Sequence, residues 1–360
     1  MHRHERDLVT VVIPAYNAQA TLAETVASVL AQTYIHLQVL VVDDGSIDDT
    51  VAIAERCSVS DPRVRILRQA NGGVARARNA GLACSEGEFV AWLDADDVWH
   101  PQKIAQQIDV FRAANTALSY VFTGYRQIDS DNRIIANRRP LTDVSGFTVS
   151  RQIATNFFSN TSSIMVRTEL ARAIGGHDPR LRDWGIEGAE DMLLQLQLAQ
   201  RGHVGCCKQA LVGYRMHDHN MSLGYRRAAL SNLKVLDLVQ EMVGAPPAWV
   251  FKIARARVVG FALMALRSGD VGGAAFVFTS IVRDQPLESI VMCARILTHC
   301  MREAVSGPIV RDPELGCEFA AADPKSAPWQ PHILLSKGQQ RRLDALDSEL
   351  APRMNRAVKA

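Results

Sequence analysis

Short apolar runs alternate with helical patterns through the first third of the chain. Residues 9–13, 39–42, 64–67 and 89–93 are rich in Val and Ile and lack a two-residue alternation. Such runs predict strands buried on both faces. Between them, Leu22, Val26, Val29 and Leu30 share one helical face behind Thr21, a residue type that caps helices. Asp48 and Asp49 suit the start of a helix over 50–57, where negative charge is favoured. Two further helices are predicted over 74–83 and 101–113, the second with Pro in its first turn. Strands and helices alternating at this spacing predict parallel strands joined by right-handed crossovers. Sheets of this kind bind ligands beyond the C-terminal ends of their strands. The residues just after each strand are therefore the candidates for chemistry.

After Leu118 the pattern loosens. It predicts strands over 118–128, 133–136, 162–166 and 204–215, with short helices over 169–174 and 192–200. From about Tyr225 the chain turns helical, over 226–243, 249–267, 271–282 and 287–303. The break near Tyr225 predicts a core domain over 1–224, a helical extension over 225–305 and an irregular tail over 306–360. The last segment, from Lys337, carries basic residues in excess of acidic ones and predicts a frayed amphipathic helix on a surface.

Composition narrows the class. Among 360 residues, 48% are hydrophobic and 22% charged, as in an ordinary globular protein. Lys and Arg number 40 against 38 acids, a net charge of +2, so charge gives no reason to expect nucleic acid as a partner. The seven Cys are scattered with no C-x-x-C pair, which signals neither a disulfide framework nor a zinc site and fits a reducing compartment. The apolar run over 271–282 is too short to span a membrane, which needs roughly twenty residues. A soluble cytoplasmic protein is expected, with a peripheral place at the inner face of the membrane allowed.

Six motifs stand at the predicted ligand edge or beyond it. Pro14-Ala15-Tyr16-Asn17 ends the first strand, and an aromatic such as Tyr16 can lie against a flat base. Asp43-Asp44-Gly45-Ser46 ends the second, where a carboxylate can accept from a base N–H or a ribose hydroxyl. A capping and turn cluster is the plainer reading of the same residues. The segment from Asn71 to Asn79 contains Gly72-Gly73 ahead of a helix whose N-terminus can face phosphate. Arg76 and Arg78 are two apart, so at most one of them reaches the ligand edge. Asp94-Ala95-Asp96-Asp97 follows a buried strand, and three carboxylates there repel one another unless a cation or donors compensate. Oxygen ligands that leave room for phosphate suit magnesium or manganese. Glu190-Asp191 opens a helix whose dipole keeps a carboxylate ionised, as a general base requires. Tyr214 to Ser222 contains Arg215 and His217, either able to meet a diphosphate or its metal; His219 reads as an exposed loop residue.

These motifs, in this order over roughly residues 8–222, resemble the inverting family-2 glycosyltransferases of the GT-A fold. The resemblance implies an α/β, Rossmann-like, mostly parallel sheet flanked by helices, with the C-terminal helical extension outside it. It implies transfer of a sugar from a nucleotide sugar, usually UDP-linked, to a saccharide or lipid-linked acceptor. Carried over by motif, Pro14, Tyr16, Asp43, Asp44 and Arg78 would hold the nucleotide, and His217 would lie near the diphosphate. Asp94 and Asp96 would sit at the ribose and at a divalent cation, Mn or Mg, with Asp97 leaving open which two of the three bind. Asp191, with Glu190 beside it, would be the catalytic base. A nucleotidyltransferase is the alternative enzyme, but Pro-Ala-Tyr-Asn stands where its Gly-rich basic loop belongs. A non-catalytic nucleotide-sugar binder is the alternative outside enzymes.

Overall fold

The computed structural model describes residues 5–136, 144–157, 160–217, 220–242, 246–283, 286–306, 314–324 and 335–357. His219, residues 158 and 159 and most of the segment over 306–334 lie outside the described residues.

Among the described residues, nine strands form one sheet: β1 (Glu5–Ala15), β2 (Leu37–Asp43), β3 (Val64–Arg68), β4 (Gly87–Trp92), β5 (Val98–Trp99), β6 (Leu118–Ile128), β7 (Ile134–Ala136), β8 (Ile164–Arg167) and β9 (His203–Arg215). Their order is β3-β2-β1-β4-β8-β6-β9-β5, with β7 paired to β6. The half from β3 to β4 is parallel, as the alternation predicts. The other half is mixed, because β8 runs antiparallel to both β4 and β6 while β6 and β9 are parallel. The sheet is thus less uniformly parallel than the pattern suggests. β8 follows a short crossover from helix Val149–Thr155, an element with too few residues to show a helical period.

Strands β1 and β2 are buried throughout their central residues, which is why their runs do not alternate. Val11, Ile13, Val39 and Val41 face one core with Leu22, Val26 and Ile104. Val12, Val42 and Trp92 face another with Met192, Leu193 and Leu196 of helix Glu190–Ala199. β1 runs on through Pro14 to Ala15, two residues past the expected stop at Ile13, since Pro14 lacks only the donor and still pairs in register with Val42.

The second core continues into the helices that follow Tyr225. Val235, Leu236 and Val239 of helix Tyr225–Met242, and Val250 and Phe251 of helix Ala248–Arg257, belong to it. The stretch expected as one helix over 249–267 is two, Ala248–Arg257 and Val259–Arg267. Helix Lys337–Ala357 is not a frayed surface element. Its Leu343 is fully buried in the same core, and its Asp347 accepts hydrogen bonds from the backbone N–H groups of Ser150 (2.7 Å) and Arg151 (3.2 Å). The carboxylate thereby satisfies the open donors at the start of helix Val149–Thr155. Among the described residues no helix is long and apolar enough to cross a membrane.

Candidate active site

The loops after β1, β2, β4 and β9 and the start of helix Glu190–Ala199 supply the predicted residues. Tyr16 is half exposed just past β1. Asn17, at a φ of 49°, is locked to the next loop: its N–H donates to Ser46 Oγ, and its side-chain oxygen accepts from the N–H of Ile47. Asp43 is buried and accepts from the N–H of Ser46 at 3.1 Å. Gly45 makes this turn feasible, because at its φ of 76° a Cβ would lie 2.9 Å from the backbone N of Asn71.

Asp44 has a different setting from its neighbour. Its two carboxylate oxygens accept from the N–H groups of Gly72 and Gly73, both at 2.8 Å, and from Gln69 Nε2 at 2.7 Å. The helix N-terminus that the Gly pair prepares is therefore occupied by an internal carboxylate rather than left open to phosphate. Arg76 points outward to Asp183 at 2.9 Å, and Arg182 donates to Asn71 Oδ1 at 2.7 Å. These two contacts tie the segment before Glu190 to the loop after β3. Arg78, two residues on, turns inward; it is buried and pairs with Asp94 Oδ1 at 2.5 Å.

The three carboxylates after β4 have three different environments. Asp94 pairs with Arg78. Asp96, about one-third exposed, has its Oδ2 2.9 Å from His217 Nε2. Asp97 is fully buried, accepting from the Ser162 hydroxyl at 2.7 Å and from the N–H of Arg215 at 3.1 Å. Burial, with the charges of Asp96 and Asp94 behind it, holds the Asp97 carboxyl well above the usual range. Asp97 is a brace between strands, and the accessible pair is Asp94 and Asp96.

Arg215 is likewise structural rather than a diphosphate contact. Its Nη2 donates to Glu24 Oε2 and Asn132 Oδ1, Nη1 to the carbonyls of Asp129 and Ser130, and Nε to the carbonyl of Asp96. The side chain is buried with its donors committed to protein acceptors.

Glu190 and Asp191 open their helix differently. Glu190 is buried and both its oxygens accept from the N–H of Gly188, at 2.9 and 3.0 Å. Asp191 is half-buried, and its Oδ1 accepts from the N–H of Met192 at 2.7 Å. Burial pushes the Asp191 carboxyl up to about 7, while Arg78 pulls it down and Glu190 pushes it up. The expectation that the helix dipole keeps this carboxylate ionised is thus revised: desolvation outweighs it, because a half-buried charge loses more hydration than one helix end returns. Arg78 acts electrostatically on both Asp94 and Asp191, so the β4 edge and the helix start form one site. His177 lies edge-on to Trp92 at 4.9 Å and is fully buried; burial and Arg78 hold its ring well below the usual range, that is, neutral. It escaped the sequence reading because no motif flags it.

For a cation, the donor set is carboxylate oxygen from Asp94 and Asp96, with the imidazole nitrogen of His217 beside Asp96. Such donors suit Mg or Mn over zinc, whose structural sites are closed by sulfur and nitrogen. Among the described residues, no group of three or more His, Cys, Asp or Glu side chains is arranged to hold a metal ion by itself.

Residues 10–174 match the model of glycosyl transferase family 2. An uncharacterized glycosyltransferase of Rickettsia typhi is 35% identical over 218 residues, 59% of this chain and 64% of that protein. The chondroitin synthase of Pasteurella multocida is 36% identical over 136 residues, 38% of this chain. The chain spans only a small part of that relative, 14% of its length. Among solved structures, Staphylococcus aureus TarS 1-349 in complex with UDP-GlcNAc is similar with a TM-score of 0.56 at 17% identity, over 83% of this chain and 89% of that one. Mannosyltransferase PcManGT from Pyrobaculum calidifontis, in complex with GDP-Man and Mn2+, is similar with a TM-score of 0.53 at 19% identity, over 83% of each chain. These two likenesses concern the fold. Over residues 10–174 the chain is thus similar in sequence to glycosyl transferase family 2, and its sheet carries the mixed α/β fold of the two solved glycosyltransferases.

Proposed function

We propose that the protein is an inverting glycosyltransferase that moves a sugar from a UDP-linked donor to a hydroxyl of a saccharide or lipid-linked acceptor, in polysaccharide or glycolipid assembly. One observation carries the reading. Arg78 pairs with Asp94 at the strand edge and sits in the field of Asp191 at the helix start, so a donor-binding carboxylate and a candidate base share one site. That juxtaposition disfavours a binder without catalysis, which has no use for a desolvated carboxyl titrating near neutrality.

On this reading Tyr16 and Asp43 hold the nucleoside, with Pro14 shaping the end of β1, and Asp44 supports them by fixing the loop of Gly72 and Gly73. Asp94, Asp96 and His217 face the diphosphate. A divalent cation held by Asp96 and Asp94 would neutralise charge on the departing diphosphate. Asp191 takes the acceptor proton as the hydroxyl attacks, and a single displacement inverts the sugar carbon. The exposed Val271, Phe278, Leu287, Ile290 and Val291 on the helical extension support a peripheral membrane place for an enzyme of lipid-linked acceptors.

The primary test is binding of UDP and UDP-sugars by the full chain with manganese and with chelator. Binding is expected to tighten with metal, and Asp96→Ala to remove most of that difference. Equal affinity under both conditions would overturn the cation part of the reading. Flotation of the protein with anionic liposomes checks the membrane part, and a protein left wholly at the bottom of the gradient would refute it.

A further inference from the structure

We propose that Ser162 is a positioning residue that sets the spacing of Asp94 and Asp96 for the diphosphate end of the donor. The assignment rests on the reading of this edge as a nucleotide-sugar site. Ser162 is fully buried in the turn Thr161–Ser163 that precedes β8. Its hydroxyl oxygen accepts from the N–H of Asp94 at 3.1 Å and donates to Asp97 Oδ2 at 2.7 Å. One hydroxyl thus joins the first and last residues of the Asp94–Asp97 turn. Within the turn the N–H of Asp97 donates to the carbonyl of Asp94 at 3.0 Å.

The serine is itself immobilised by groups outside the turn. Trp99 Nε1 donates to the Ser162 carbonyl at 2.9 Å. Gln107 Nε2 donates to the Ser163 carbonyl at 3.0 Å and to the Val121 carbonyl at 2.9 Å. Gln107 Oε1 accepts from the buried Lys103 Nζ at 2.8 Å, and that nitrogen lies 3.8 Å over the Trp99 ring. The oxygen is therefore delivered to the turn by helix Lys103–Ala113 and by Trp99, neither of which is part of a binding motif. Between the two ends of the turn lies Asp96, whose backbone carbonyl is held by Arg215 and whose side chain meets His217. With both ends and the middle tied, Asp94 and Asp96 are presented at one fixed separation. Removing the hydroxyl leaves a buried N–H and a buried carboxylate oxygen each short of a partner, and the turn relaxes to satisfy them.

The nucleoside end is built separately. Asp43 and Asn17 are fixed by Ser46 and Ile47 and share no bond with Ser162. Loss of the serine hydroxyl is therefore expected to weaken contacts to the diphosphate and its cation while leaving nucleoside contacts intact.

The experiment is calorimetric titration of the full chain, wild type and Ser162→Ala, with UDP and with uridine, each with manganese and with chelator. A melting curve of each protein accompanies it. For Ser162→Ala, UDP affinity with manganese is expected to fall about tenfold, the scale of one unmet buried hydrogen bond, with uridine affinity unchanged. If Ser162→Ala does not fold, Trp99→Phe takes its place, with the same selectivity and a smaller loss. Wild-type affinity for UDP with manganese in the tested variant overturns the assignment, as does an equal loss for uridine and UDP. A wild type that shows no metal-dependent UDP binding overturns the donor-site reading first, and this assignment with it.

Discussion

Asp191 is the residue on which turnover depends in the proposed reaction. Asp191→Asn preserves shape and the bond to the N–H of Met192 but removes basicity. Transfer is expected to fall by about a hundredfold or more, the usual scale of general-base catalysis, with nucleotide-sugar binding nearly unchanged. Glu190→Gln separates the pair: its oxygens are spent on the N–H of Gly188, so it is expected to affect stability more than turnover. A dead Glu190→Gln with an active Asp191→Asn would reverse the assignment. The pH profile follows from the same carboxyl, which titrates at about 7. Below that pH Asp191 is protonated and cannot accept the acceptor proton; above it the base is free. The ratio kcat/KM is therefore expected to rise as pH increases through about 7. Arg78 lowers the Asp191 value, so Arg78→Gln is expected to move the midpoint upward. A profile flat from pH 5 to 9, a range set by roughly two units on either side of a titrating group, would exclude Asp191 as the base.

At the scale of elements, the clasp between two helices distant in sequence is the least expected contact. Asp347 of helix Lys337–Ala357 is almost fully buried and receives the N–H groups of Ser150 and Arg151 together with Arg151 Nε at 3.1 Å. Burial raises its carboxyl, and these donors work against that rise. Asp347→Ala leaves two backbone donors without partners at a buried helix start. It is expected to cost about 1–3 kcal/mol of stability, measured by urea denaturation. No loss of stability would mean that water replaces the carboxylate there. Sequence reasoning saw the acids and bases of this helix as a solvated face. Such a pattern does not reveal that one acid, Asp347, faces an open helix end nearly two hundred residues earlier.

For the whole molecule, the composition shift near Tyr225 does not coincide with a gap in packing. Met192, Leu193 and Leu196 beneath the sheet share their core with Val235, Leu236, Val239, Val250 and Phe251. Each such side chain contributes roughly 1.5–3 kcal/mol by burial, against a total stability of about 5–15 kcal/mol. A chain truncated after Ser222 is therefore expected to lose cooperative folding, seen as a missing thermal transition. A truncated chain that melts sharply and binds UDP would show that the extension is an independent unit.

Local pattern was enough for the parallel half of the sheet, the positions of most helices and the order of the motifs. Those are properties of neighbouring residues: β-rich runs, helical periods and acids placed directly after a strand. It also sufficed to show that Arg76 and Arg78 diverge, since side chains two apart on a helix point apart, but which of them turns inward came from the tertiary structure. The tertiary structure alone decided what each carboxylate faces. Asp44, Asp96 and Asp97 look alike in sequence, yet one braces a glycine loop, one meets His217 and one is sealed between Ser162 and the N–H of Arg215. It also raised the carboxyl of Asp191, because desolvation depends on what the rest of the chain stacks around a group. The antiparallel insertion of β8, the recruitment of Ser162 and the docking of Asp347 are contacts between distant segments. No local period encodes them, since they arise only when the chain closes around both faces of the sheet.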